Sequence, residues 1–299
     1  MSRTLSAGLA GHVAGHSHTR CKMLLLVLTD GTKIGITDHD KDISYNLGDG
    51  AVTYDSGTGV LASDVSMSAS LDADNYEVTG PINDTFSLIE LLGGRFDNAR
   101  ASLFEVNWKS LGDGAAKFLA GNVREIRIEG GKFIFEIRSD IDRFNQVVGR
   151  ILANNCDADF GDARCGATPT LESETVVAVT DAMRFTVTNG GSRADDFFNM
   201  GIVTPTSGAN DGTRPIEIVN WEDNGDGTAS LELFTSLVAE PEIGDTFDIQ
   251  DGCSKARKSD TAGVPTCLTH NNVINFRGFP EIPGSDQVFR AAIPGEGDQ

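Results

Sequence analysis

From Cys21 to about Ser139 the apolar and polar positions fall at the spacing of strands rather than helices. Met23–Leu28 (MLLLVL) is an unbroken apolar run and reads as a buried strand. Asp30-Gly31 is its turn, and Lys33–Thr37 is the returning arm. Val52–Tyr54 follows. Val65, Met67, Ala69 and Leu71 then alternate with serines, the mark of a half-buried strand. Phe86, Ile89, Leu92 and Phe96 switch to helical spacing. An Asp or Thr cap before Phe86 and Gly93-Gly94 behind bound a helix over Phe86–Leu92. Ala101–Trp108, Ala116–Ile128 and Lys132–Arg138 return to strand spacing, the last two joined at Gly130-Gly131. Several strands and one helix predict a mainly β fold, a small barrel or sandwich with a packed helix.

Both ends of this region differ from it. In residues 1–20, Leu5, Leu9 and Val13 recur every four positions and predict a short helical arm. His12 and His16 share one face of it. With His18 they form a conceivable zinc or nickel site, but no carboxylate or cysteine nearby in sequence completes the shell, and solvated imidazoles are the plainer reading. After 139 comes a polar amphipathic linker to 153, and then a second β unit whose strands include Val176–Val179, Arg184–Val187, Gly201–Thr204, Ile216–Trp221, Ala229–Leu233 and Thr246–Ile249. The resulting organisation is an arm (1–20), a β-barrel domain (21–150), a linker (151–174), an inserted β domain (175–250), and a C-terminal region (251–299) rich in Gly and Pro that packs on the linker.

Of 299 residues, 44 are Asp or Glu and 24 Lys or Arg, a net charge of −20. Such a chain is poorly made to grip phosphates and suits a highly solvated surface or a wall that repels DNA rather than holding it. The 34 glycines against nine prolines suit many tight turns. No apolar run approaches the roughly 20 residues that cross a bilayer. Residues 1–20 lack the apolar core of a signal peptide, so a reducing compartment is expected.

The cysteines carry the candidate chemistry. Cys156 and Cys165 have eight residues between them, Cys253 and Cys267 thirteen, and the inserted β unit lies between the pairs. If its ends meet, four thiols meet. The spacings leave four readings open: an iron–sulfur cluster, zinc, disulfides, or unrelated buried cysteines. Arg164, Lys255, Arg257 and Lys258 flank the thiols and are expected to lower their pKa values. Cys21 opens a strand and reads as a small buried hydrophobe. Other signals are weak. Asp38-His39-Asp40 reads as a solvated turn. Glu222–Thr228 resembles part of a calcium loop, but position twelve from Asp223 is Phe234, so a hairpin turn is preferred. No nucleophile elbow, Walker loop or dinucleotide fingerprint is present.

Cys156…Cys165-Gly166, Ala194–Thr204, Thr206–Asn210, Gly252-Cys253, Cys267 and Asn275-Phe-Arg-Gly-Phe-Pro-Glu-Ile-Pro-Gly284 together resemble the phage tail hub family of long-tailed phages and gene transfer agents, related to lambda-like tail-tip proteins. The resemblance implies a tail-tube-like N-terminal barrel and a virion location after folding in the bacterial cytoplasm. It implies a homotrimer ring at the distal end of the tail. That ring joins the tube and distal tail protein to tip and fibre-bearing proteins, with DNA passing through without specific binding. It also implies a structural 4Fe–4S cluster (zinc as the alternative) on Cys156, Cys165, Cys253 and Cys267, with no catalytic residues. The rival is a tail-tip enzyme, a cell-wall hydrolase or redox protein, for which Cys267 and His270 would be the nearest thiol–imidazole pair.

Overall fold

The computed structural model describes residues 5–15, 19–48, 50–62, 75–141, 149–259 and 263–282. His16, His18, the Val65–Leu71 strand and the Asp72–Asp74 acidic run lie outside them. The chain divides into two compact units, Met1–Val147 and Val148–Gln299, a boundary three residues earlier than expected.

The first unit holds α1 (Ala7–Val13), β1 (Arg20–Val27), β2 (Lys33–Thr37), β3 (Ile43–Asn46), β4 (Ala51–Asp55), β5 (Leu61–Ala62), β6 (Asn75–Pro81), α2 (Leu88–Leu92), β7 (Arg100–Asn107), β8 (Ala115–Glu129) and β9 (Lys132–Ser139). The nine strands form one sheet in the order β3-β4-β2-β1-β7-β8-β9-β6-β5, with only β2 and β4 parallel among the described pairings. The apolar run in β1 has a direct cause. Leu24, Leu26 and Leu28 enter the main core on one face, while Cys21 and Met23 pack with Tyr54, Phe104 and Val106 on the other. A strand covered on both faces has no polar side to alternate with. Val60, just before β5, and Ile36 of β2 line one small cavity, so the sheet rolls toward itself in barrel fashion. The β8–β9 hairpin turns at Gly130 and Gly131, both at positive φ (57° and 76°), as a type I′ turn demands.

The helix differs in detail from its sequence pattern. α2 begins after Ser87, which accepts from the Glu90 amide while Glu90 reaches back, a reciprocal cap rather than an Asp or Thr cap. Leu91 is its buried residue, and Leu92 is 59% exposed. Phe86 and Phe96 are buried from outside the helix, in an aromatic group with Phe133 and Phe135 whose ring centroids lie 4.5–6.0 Å apart. The apparent helical period came from that packing.

In the second unit, β10 (Leu171–Val179), β11 (Arg184–Thr188), β12 (Ile202–Pro205), β13 (Ile216–Asp223), β14 (Thr228–Leu233) and β15 (Thr246–Gln250) form a closed antiparallel barrel, ordered β10-β11-β14-β13-β12-β15. β10 begins four residues before the expected 175, because Leu171 to Thr175 pair with Gln250 to Thr246. Phe185, Phe198, Trp221, Phe247 and Ile249 fill the interior. Strand direction places the 180–183, 206–215 and 234–245 loops at one end of the barrel. Residues 170 and 251 leave from the other, beside the 189–201 loop. The mainly β class read from the sequence is the class of the structure, with helices of only seven and five residues among the described residues.

Candidate functional site

Leu171 opposite Gln250 brings both ends of the barrel segment together. The chain on either side of it then interlocks. The Cys156 amide donates to Lys255 O (2.7 Å), Ser254 N to Pro265 O (2.8 Å), Cys267 N to Ala256 O (3.0 Å) and Phe279 N to Ala153 O (2.8 Å). Asn272, buried and far from Cys165 in sequence, donates through Nδ2 to Cys165 O (2.7 Å) and lies 3.4 Å from its sulfur. The Cys267 thiol donates to Asn272 O (3.0 Å). Asp162 shapes the loop that carries Cys165: its carboxylate accepts from the amides of Cys165 (2.6 Å), Arg164 (2.9 Å) and Asp159 (3.3 Å). Those N–H groups, Cys165's foremost, hold its carboxyl below the usual range.

All four thiols share one electrostatic neighbourhood. Burial, first, pushes the Cys253 thiol up. Lys255 opposes this through its amide and its charge, and the negative charges of Cys165 and Cys156 add to it. Burial likewise raises Cys267, with Cys253, Cys156 and Cys165 all contributing. The expectation that flanking basic residues lower the thiols is corrected for Cys253 and Cys267: burial and mutual repulsion raise both, and at Cys253 they outweigh Lys255. Arg164 is spent elsewhere, on Asp157 and Asp162. No cysteine is in a disulfide.

A bound group must fit this arrangement. Among the described residues no three His, Cys, Asp or Glu side chains are gathered tightly enough to hold a single metal ion. Zinc on four thiolates needs sulfurs about 2.3 Å from one point. Asn272 lies between two of the thiols, donating to Cys165 O and accepting from Cys267 Sγ. The raised pKa values of Cys253 and Cys267 mean that these two become thiolates more readily beside a positive partner. As a donor set, four thiols are of the kind that holds zinc or an iron–sulfur cluster.

The remaining candidates resolve as structure. His270 Nε2 donates to Gly252 O (2.8 Å), and its Nδ1 faces buried Asp251 at 3.8 Å. The Cys267 thiol points to Asn272, so the two do not form a nucleophile–base pair. His12 Nε2 accepts from Thr19 N (3.0 Å) and ties α1 to the start of β1. His39 accepts from Lys41 N and packs against Trp108. Asp38, Asp40 and Asp42 are exposed. Asp223 and Asp226 cap the β13–β14 turn by accepting from Gly225 and Thr228, the hairpin expected in place of a calcium loop. Cys21 is 4% exposed, its thiol pushed up to about 11 by burial above all, as befits a buried hydrophobe. The sequence reading had missed Asn272, Asp162 and Asp251. Only Asp162 left a signal, an Asp three residues before Cys165 in a Gly-containing loop.

No curated protein matches the chain. A chain in the solved virion of a native gene transfer agent particle is 29% identical, with a TM-score of 0.82 over 98% of this chain and 97% of that one. Residues 196–286 match a family described as phage conserved hypothetical protein BR0599. Residues 6–168 match the family described as baseplate hub protein, N-terminal attachment domain, more than half of the chain, and the protein belongs to that family.

Proposed function

We propose that this baseplate hub protein is a structural component of a phage or gene transfer agent virion, and that it forms the ring at the distal end of the tail. Three copies adapt the six-fold tube and distal tail protein to three-fold tip and fibre-bearing proteins, with DNA crossing the channel unbound. The observation that carries this reading is correspondence over nearly the whole chain with a virion subunit, both units included. A net charge of −20 suits a wall that does not hold phosphates. Two β units in each of three chains offer six β surfaces to a six-fold neighbour. The chain folds in the cytoplasm, then joins the particle, and acts as a scaffold rather than an enzyme.

In the same reading Cys156, Cys165, Cys253 and Cys267 hold a structural 4Fe–4S cluster that ties residues 153–166 to 253–279. Protein thiolates fill all four ligand places, which leaves no iron open to substrate. Copy number in purified particles tests the ring: a number not divisible by three refutes it. Anaerobic purification with iron and sulfide analysis tests the cluster. Four irons and four sulfides per chain are expected, and stoichiometric zinc overturns it.

A further inference from the structure

The second unit carries two apolar surfaces of opposite charge setting. One lies on the interlocked loops of the cysteine centre, where Ile151 is 86% exposed, Ile274 91% and Leu152 61%, with Leu268 and Phe279 exposed on the same loops. The segments are fastened to each other. Phe279 N donates to Ala153 O, the Arg150 guanidinium lies over the Phe279 ring (5.2 Å), and Arg150 donates to Arg277 O. The described residues of 149–166, 252–259 and 263–282 hold six Lys or Arg against four Asp or Glu. The second surface is the 234–245 loop, where Phe234 is 70% exposed and Ile243 73%, with Val238 also exposed. Glu240 and Glu242 are exposed among them, on a barrel segment (171–250) that carries fifteen acidic residues and three arginines.

Strand register puts these surfaces at opposite ends of the barrel, so one chain cannot bring its own two together. Five exposed large apolar side chains on one and three on the other lose contact with water only against something else. Two copies of the acidic loop meeting face to face repel, whereas that loop and the face, whose segments carry six basic against four acidic residues, attract. We propose that the occupant is a second copy of this chain. The 234–245 loop of one copy seats on the Ile151/Ile274 face of the next, a head-to-tail contact of the kind that closes into rings. This rests on the ring reading above and names its interface.

The test uses the whole chain at high protein concentration. Unlabelled and 15N-labelled protein are mixed, treated with a zero-length carbodiimide and analysed by mass spectrometry. Links between Lys258 of one isotope and Glu240 or Glu242 of the other are expected. Ile274→Asp and Phe234→Asp should each weaken self-association at least about tenfold, since each removes a buried apolar side chain from the contact. Both positions are solvent-exposed in one chain, so folding is untouched. A mixture of the two variants should recover a dimer, because one intact contact remains. Links confined to single chains, links elsewhere between copies, or trimers that survive both substitutions overturn the interface and leave the ring reading standing. A particle copy number not divisible by three removes the ring whatever the cross-links show.

Discussion

Gly252 is the sharpest point at which to test how the cysteine centre is held. A Cβ built there falls well under 3.0 Å from the backbone of Met200 and Gly201. Carbon atoms in ordinary contact sit about 3.5–4.0 Å apart, so Gly252→Ala drives the two backbones roughly 1 Å or more apart. No flexible side chain is there to yield. Overpacking costs about 1–3 kcal/mol, and a backbone obstacle belongs at the top of that range. The gain from a stiffer unfolded chain is about 0.4–1 kcal/mol, which leaves a net loss of roughly 2 kcal/mol. For a unit of this size that is a fall of about 4–8 °C in melting temperature. Scanning calorimetry measures it, and hydrogen exchange locates it. The amides of Cys156 and Cys267, which hold the thiol-bearing loops to the 255–256 chain, should exchange faster, while β7 and β8 are unchanged. Gly112→Ala is the control, since a Cβ there meets nothing within 4 Å. A Gly252→Ala protein that melts within about 1 °C of the parent refutes the claim that this close backbone approach fixes the centre.

Asp162→Ala keeps all four centre thiols but frees the Cys165 loop, so iron and sulfide per chain should fall by half or more after anaerobic purification. Cys21 has a folded pKa of about 11 against an ordinary 9.0. The stability gained by keeping it neutral is complete below pH 9 and is lost as pH rises toward 11. At pH 8 iodoacetamide should label Cys21 in the native chain at least about tenfold more slowly than in urea. Trp221 is fully buried, edge-on to Phe198 at 4.8 Å. Trp221→Ala should cost about 3–5 kcal/mol in urea titration, with faster exchange confined to β10–β15.

The parts of the fold legible in sequence were those fixed by neighbouring residues. The β1 apolar run marks a strand covered on both faces, and Gly130-Gly131 marks a turn that needs two positive φ angles. Helix α2 was harder to place. Phe86 and Phe96 lie outside it, yet face the same core as Leu91, and only the tertiary packing of Phe133 and Phe135 separates the two roles. Closure of the second barrel rests on β10 meeting β15 across some 75 residues, which no local pattern encodes. The four thiols were visible as residue types. The raised pKa of Cys253 was not, because burial outweighs Lys255 only once the chain is folded. Asn272 and Asp251 are single polar residues whose partners, Cys165 and Thr170, are far away in sequence.

Leu171 and Gln250 are opposite one another in an antiparallel pair, so the chain leaves for the barrel and comes back within about 5 Å of the same point. Between those two residues, seen from the thiol-bearing loops, 78 residues occupy the span of a tight turn. The barrel is therefore a cassette. A shorter hairpin, a longer loop or an unrelated domain with adjacent ends fits the same gap, at a closure cost that grows only with the logarithm of length. Exchange of what projects there leaves the cysteine framework in place so long as the Met200–Gly201 backbone that meets Gly252 is kept. Where such exchange has happened, spacing within each cysteine pair should hold while the distance between the pairs varies widely.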